Sequence, residues 1–532
     1  MARNRIIYAS QSVWCNGEVL YRVQSLGSTT TFTSEDIFEL GHLDIIDVVD
    51  DLPAVAVTLN TNDFGDVRTF AALAQVKAAK IGMTETATDT NANLVVVSGT
   101  QLVETDTFLH GVSIADFAIV CGNLPGVSMW APVQDECSLG TLDSNIDQTL
   151  FMDEVYINSL EFSYSTGANA TENYGAETDQ KMWLLNDGRF VNYDEEILDG
   201  TDITNKYIIL TLGAGTIVTL SNSNMGFLRK DENGAPAATW YDESTDTTTN
   251  IEIVAGVSEI ADDFVYDSSN HRLYFPTAPT FAALDVVSVV YAADAYGTSA
   301  AGKYMNVLDT VDRPDMLGAV RQGQVEIFIV DPSNPGTYVD LLAWRLTACT
   351  ISADLTREPL TELGHLGPYD RPLTLPIPLT VTVDSTAGDL EYWARLAGQL
   401  TEFDADTLDD IDLADLMAKE NLVLVVKVYA QTDEEAGGSS TNRTLMTNST
   451  LIGQSYFSDG VEGTYASAGE QEYPLKTVIV EHLKITDEAY SLDMGANATQ
   501  TFGFRSTNDL FVVKGDVSVG NITGDFKVRR NA

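Results

Sequence analysis

The amino-acid sequence predicts a mainly β protein: two tandem copies of an antiparallel β-sandwich or half-barrel domain, each with a packed helix, plus a small β-domain inserted between them. Three observations carry that expectation. A five-residue string recurs at long range. Short runs alternate apolar and polar residues on both sides of the chain. Between the two regions lie roughly 120 residues with no counterpart elsewhere.

The repeat comes first. Glu39-Leu40-Gly41-His42-Leu43 recurs as Glu362-Leu363-Gly364-His365-Leu366, an offset of 323. The same offset aligns Tyr21-Arg22-Val23 with Trp344-Arg345-Leu346, Leu52-Pro53 with Leu375-Pro376, and Gly65-Asp66 with Gly388-Asp389. Residues 22–74 and 345–397 share 16 identities in 53 positions without a gap, where chance gives roughly three. Val155 through Leu160 matches Val478 through Leu483 at the same offset. Gly167-Ala168-Asn169-Ala170-Thr171 then recurs as Gly495-Ala496-Asn497-Ala498-Thr499, offset by 328, a change of loop length that surface loops tolerate. The organisation read from this is a first copy over 1–195, an inserted β-domain over 196–317 and a second copy over 318–532.

Within each copy, Val57–Asn60 and Leu379–Asp384 alternate apolar and polar residues, as half-buried strands do, and so do Phe162–Tyr164 and Leu483–Thr486. Gly65-Asp66 and Gly388-Asp389 put an aspartate in N-cap position after a turn glycine. Val67, Phe70, Leu73 and Ala74 follow at helical spacing, matched by Leu390, Trp393, Leu396 and Ala397. This predicts helices over 66–76 and 389–399. A further helix is expected over Leu408–Glu420 and a strand over Leu422–Tyr429, with Phe117–Cys121 as its first-copy counterpart. In the middle segment, 263–275 reads as two short strands around a Ser/Asn turn and Val286–Tyr291 as another strand. Lys230 to Ala235 reads as a loop.

Composition bounds the function. The chain has 532 residues and 44% apolar content, enough for several cores. No apolar run approaches the roughly 18 residues of a membrane span, and no secretory signal is recognisable, so assembly in the cytoplasm without a membrane is expected. Net charge is −49, from 78 acidic and 29 basic residues, of which 12 are lysine. Such a surface repels nucleic acid. It suits a duct that DNA must cross without sticking, and equally a halophilic host, in which hydrated carboxylates keep protein soluble. Cys15, Cys121, Cys137 and Cys349 are too few for a disulfide framework and match no zinc spacing. Buried free thiols are expected, although Cys121 and Cys137 could pair.

No phosphate loop, nucleophile elbow or zinc motif is present, so neither an enzyme nor a cofactor is expected. His42 and His365 hold equivalent places, but no second His or Cys stands at ligand spacing, and a structural turn is the simpler reading. Asp404–Asp410 lacks the glycine and glutamate of a calcium loop and suits a helix N-terminus. The residues singled out are therefore structural repeat positions: Gly41, His42, Pro53, Gly65, Asp66 and Gly167, with Gly364, His365, Pro376, Gly388, Asp389 and Gly495.

The order in each copy is a strand leading to Glu-Leu-Gly, a strand ending near Gly-Asp, a helix, further strands, and a late pair around Gly-Ala-Asn-Ala-Thr. It resembles the tail tube (major tail) proteins of long-tailed viruses. The resemblance covers both copies and rests on element order. It implies a structural virion protein, stacked into rings whose inner strands form one continuous barrel. It also implies that the partners are other copies of the chain, a length-setting tape-measure protein, adjacent tail or baseplate proteins, and viral DNA that passes without binding. A fused pair of domains implies a homotrimer with pseudo-six-fold symmetry. The middle segment, with its Asp263–Pro279 run, is similar to surface β-domains added to virion proteins. Two alternatives stand beside this: a cell-surface or surface-layer structural protein, and an acidic hydrolase.

Overall fold

The computed structural model describes residues 12–20, 22–38, 40, 45–50, 53–62, 67–75, 108–109, 111–119, 126–133, 148–185, 190–210, 217, 226–231, 234–242, 244–245, 247–283, 285–293, 320, 325–332, 338–340, 346–361, 368, 371–386, 420–428, 476–491, 498–514 and 527–528. Strands dominate these residues, and most belong to one nearly closed, barrel-like antiparallel network.

The centre of that network is a sheet of antiparallel strands. Their spatial order is Val23–Thr31, Ala54–Asn62, Thr171–Thr178, the C-terminal half of Gln148–Ser165, Leu346–Asp354, Pro378–Thr386, Thr499–Thr507, and the C-terminal half of Lys476–Ser491. Alternation decides which way each side chain points, because successive Cβ atoms lie on opposite faces of a strand. Val55, Val57 and Leu59 are buried while Ala54, Ala56 and Thr58 are exposed. Leu379, Val381 and Val383 repeat the pattern. Full burial of such a side chain stabilises by about 1.5–3 kcal/mol, so a one-residue slip of either strand would invert its apolar face and lose it.

The two long strands leave this sheet halfway and enter a second layer. Residues 148–153 pair with Val127–Val133 on one side and Gln180–Leu185 on the other, and Trp14–Cys15 lies beyond Val127–Val133. Residues 476–480 pair with Leu422–Val428 and Leu510–Lys514, and Val325–Val330 and Tyr338–Asp340 extend that layer. Gly111–Ser113, from the first half, adds itself to the outer edge of Leu510–Lys514. One apolar core fills the space between the layers and draws on both halves of the chain.

The bends occur at bulges where an extra residue takes a left-handed conformation: Glu154 (φ 49) between Met152 and Val155, and His482 (φ 53) opposite Leu422 and Leu424. Bulged strands twist and change direction in this way. Gly175 and Gly503 sit opposite the next irregularities, where an added Cβ would overlap the Ser159 and Asp487 side chains respectively. The two long strands therefore match at an offset of 328 along their length. The offset of 323 expected from Val155 and Val478 is wrong there, since apolar alternation looks alike at several registers.

Residues Arg68–Leu73 form a helix whose Phe70 packs edge-on to Phe117, with centroids 5.2 Å apart, and tilted to Phe162. Its N-cap is Val67, without a side-chain cap, where Asp66 was expected. Asp66 itself and the expected helices over 389–399 and 408–420 lie outside the described residues, the last apart from Glu420. The expected Leu422 strand is Leu422–Val428. The strand that takes the equivalent place in the first half is Val127–Val133, however, and Phe117 begins no strand but lies in the short helix Asp116–Ile119. An apolar run of five residues fits a buried helix turn as well as a strand, which is why periodicity misassigned it.

The middle segment forms its own seven-stranded sheet, ordered Phe190–Ile197, Val286–Ala293, Ala237–Asp242, Thr247–Ala255, Phe264–Asp267, Arg272–Tyr274, Tyr207–Ile209, over a separate aromatic-rich core. Its first strand, Phe190–Ile197, pairs along its whole length with Val286–Ala293. The Ser/Asn turn is as expected. The Asp267 carboxylate accepts from Ser269 N at 2.9 Å and Asn270 Nδ2 at 2.7 Å, and His271 (φ 53) closes it.

Candidate functional site: one polar sheet face between two open edges

The face of the central sheet turned away from the core is built from small hydroxyl and amide residues. Register puts Thr29, Thr58, Asn60, Asn173, Ser163, Thr350, Thr382 and Thr501 there. Its charged strand residues are Glu161, Glu177, Asp354, Asp384 and Asp487 against Lys484 and Arg505, so carboxylates outnumber cations. The side chains bind one another across strands. Asn60 donates to Asn173, Asn173 donates to Glu161 at 3.1 Å, and Thr501 donates to Asp384 at 2.6 Å. Among the described strand residues of this face, carboxylates therefore set the charge. Such a face would repel phosphate.

The sheet ends in two open edges. Among the described residues, no strand pairs with the outer edge of Val23–Thr31 or with that of residues 484–491. Open edges invite another chain unless they are shielded.

Where the two halves meet inside one chain, residues 159–165 pair with 348–354 over seven consecutive positions. Three buried or half-buried cations reinforce this seam. Lys476 Nζ lies 2.6 Å from Glu172 Oε1, both side chains being buried, and Tyr174 donates to the other carboxylate oxygen at 2.8 Å. Arg357 donates to the carbonyls of Ile157 and Phe117, each at 3.0 Å, and lies over the Tyr156 ring. Arg371 bridges Glu177, at 2.7 Å, and Asp179.

A fourth cation fastens the middle segment to the first half. Buried Arg229 donates to Asp153 at 3.1 Å, Ser128 Oγ at 2.7 Å and Thr239 Oγ1 at 2.6 Å. Around it Trp14, Trp130, Phe151 and Leu184 pack on Val191, Leu228 and Val290. Because Val127–Val133 is buried on both faces, this junction lies on the opposite side of the second layer from the main core.

Beside Arg229, the Glu154 carboxyl is pushed up from 4.5 to about 7 by burial and by Asp153, against the opposing pull of Arg229 and Gln180. A raised carboxyl destabilises the folded state as pH rises. Below 4.5 the group is protonated folded and unfolded alike, and between 4.5 and 7 only the unfolded chain ionises readily. Glu154→Gln is therefore expected to flatten the fall in melting temperature between about pH 5 and about pH 7. An unchanged slope would contradict this.

Of the repeat positions singled out in the sequence, Pro53 and Pro376 precede strands at one end of the central sheet. Gly167 (φ 82) forms the turn at the opposite end. They frame the sheet and make no common site. Gly41, His42, Gly65, Asp66, Gly364, His365, Gly388, Asp389 and Gly495 lie outside the described residues. Cys15 and Cys349 are buried, the Cys15 thiol donates to the Ala72 carbonyl at 3.8 Å, and burial pushes the Cys349 thiol up to about 12. Cys121 and Cys137 lie outside the described residues. Among the described residues, no group of three His, Cys, Asp or Glu could hold a metal, and no helix is long and apolar enough to cross a membrane. Sequence reasoning missed the seam cations. Lys476 carried a signal, a lone lysine opening the apolar run Thr477–Val480 in a chain poor in lysine.

No protein-family model matches the chain, and no curated protein matches it.

Proposed function

We propose that the chain is a duplicated tail tube protein of a long-tailed virus, three copies closing into a ring and rings stacking into a hollow acidic conduit for DNA. The observation that carries this reading is the order of the central sheet. Each half contributes four strands in the same relative order, and the last strand of the first half pairs with the first strand of the second. That seam is a head-to-tail contact, and a head-to-tail contact that is repeated closes a ring. The two open edges are the partners such a repetition needs. Three chains would join about 24 strands into one barrel and leave no edge.

In this reading the polar face lines the lumen. Its excess of carboxylates keeps DNA from binding, where a basic wall would bind it in a salt-dependent way. The middle segment, on the far side of the second layer, stands outside the tube. No catalytic role is assigned, assembly takes place in the host cytoplasm, and the acidic, lysine-poor composition suits a halophilic host. Electron microscopy of the purified protein or the virion is the test. Hollow tubes with three chains per ring are expected. Monomers that never form rings, or rings of six whole chains, would overturn the reading.

A further inference from the structure

Residues Ser34–Ile37 and Asp47–Asp50 form a two-stranded hairpin that continues directly from the open edge strand Val23–Thr31. It carries an unusual load of exposed apolar side chains: Phe32 at 79%, Phe38 at 66%, and Ile37, Leu40, Val48 and Val49. Exposed apolar side chains gathered on one hairpin, in a chain otherwise so acidic, mark an interaction surface. The second half shows what the corresponding segment does when it has a partner. There Leu355 donates to the Asn158 carbonyl at 2.9 Å, Arg357 reaches Ile157, and Arg371 reaches Glu177 and Asp179, all in the first half.

We infer that the hairpin is an arm that docks on the second half of a neighbouring copy of this chain, with its carboxylates facing Arg505. The inference rests on the head-to-tail reading and adds a second contact to it. Moving the internal seam along by the two observed offsets brings Phe32, Ser34 and Val48 to the places of Leu355, Arg357 and Arg371. It brings Ile485, Thr486, Arg505 and Thr507 to the places of Ile157, Asn158, Glu177 and Asp179. The charge balance differs between the two seams. The internal arm carries Arg357 and Arg371 beside Glu358 and Asp370, and its receiver supplies the carboxylates Glu177 and Asp179. In the outer arm Ser34 and Val48 stand where those arginines are, so exposed Glu35, Asp36 and Asp47 leave it acidic, and the receiver supplies exposed Arg505. This difference keeps the two seams distinct, since the acidic arm set against the first half would meet Glu177 and Asp179. The apolar side chains supply area, and the ionic contact fixes the register.

The test links Val48→Cys to Thr507→Cys with a short bismaleimide in assembled protein, after Cys121→Ser and Cys137→Ser, and leaves Arg505 in place. Peptide mass spectrometry then locates the link. Val48 and Thr507 are both exposed, so neither change disturbs a core. A link between positions 48 and 507 of different chains is expected, at least tenfold above that of unassembled protein. A parallel sample carries Thr29→Cys and Ala489→Cys to report strand pairing at the open edges. If 29 and 489 join while 48 and 507 do not, or join only within one chain, the arm inference is overturned and the ring reading stands. If neither pair joins, both fall.

Discussion

Lys476→Met is expected to cost about 3–5 kcal/mol of unfolding free energy, because it takes a buried ammonium away from the buried Glu172 carboxylate. Both partners are at most 4% exposed, and they lie 304 positions apart across the seam between the halves. The loss should therefore appear as separation of the halves, with a lower denaturant midpoint and earlier exposure of the 348–354 strand to hydrogen exchange. The double variant Lys476→Met with Glu172→Gln should recover most of the loss, since a neutral pair carries no uncompensated charge. A single variant within about 1 kcal/mol of the parent would mean that the ion pair does not tie the halves together.

Arg229→Met should be comparably severe, again about 3–5 kcal/mol, and local in a different way. It strips Asp153 of its cation, and Ser128 and Thr239 of a hydrogen-bond donor, at the junction between the second layer and the middle sheet. The middle sheet has its own core, so it should stay folded while its attachment loosens. Limited proteolysis is expected to cut on either side of 190–293 before it cuts the central strands. Simultaneous loss of both parts would contradict that separation.

Much of the strand inventory was legible in the sequence. Alternation over Val57–Asn60 and Leu379–Asp384 located the strands Ala54–Asn62 and Pro378–Thr386, because their core residues recur at every second position against small polar ones. The turn at Asp267–His271 announced itself through Asp, Ser and Asn. What escaped was whatever depended on distant partners. Val127–Val133 is buried on both faces, so its sequence does not alternate, and nothing local marks it as the neighbour of 148–153. The offset along the long strands was misjudged because valines and isoleucines match at more than one register. The bulges at Glu154 and His482, which fix that register, leave no mark of composition. The candidate site was the least legible part. Its face is made of ordinary threonines and asparagines, and an open edge is a property of the sheet and not of any residue in it.

Head-to-tail closure has its most direct test in a disulfide across the two open edges. The internal seam pairs Glu161 with Ser352. Carried along by the two offsets, the same pairing sets Ala489 of one chain opposite Thr29 of the next. Directly opposed residues on neighbouring antiparallel strands stand close enough for a disulfide. Assembled protein carrying Thr29→Cys and Ala489→Cys, oxidised and run on a denaturing gel without reductant, should give dimers and trimers of the chain and nothing larger. Reductant should collapse both to monomer. A product that stays monomeric, or a ladder that runs past three chains, would contradict the account.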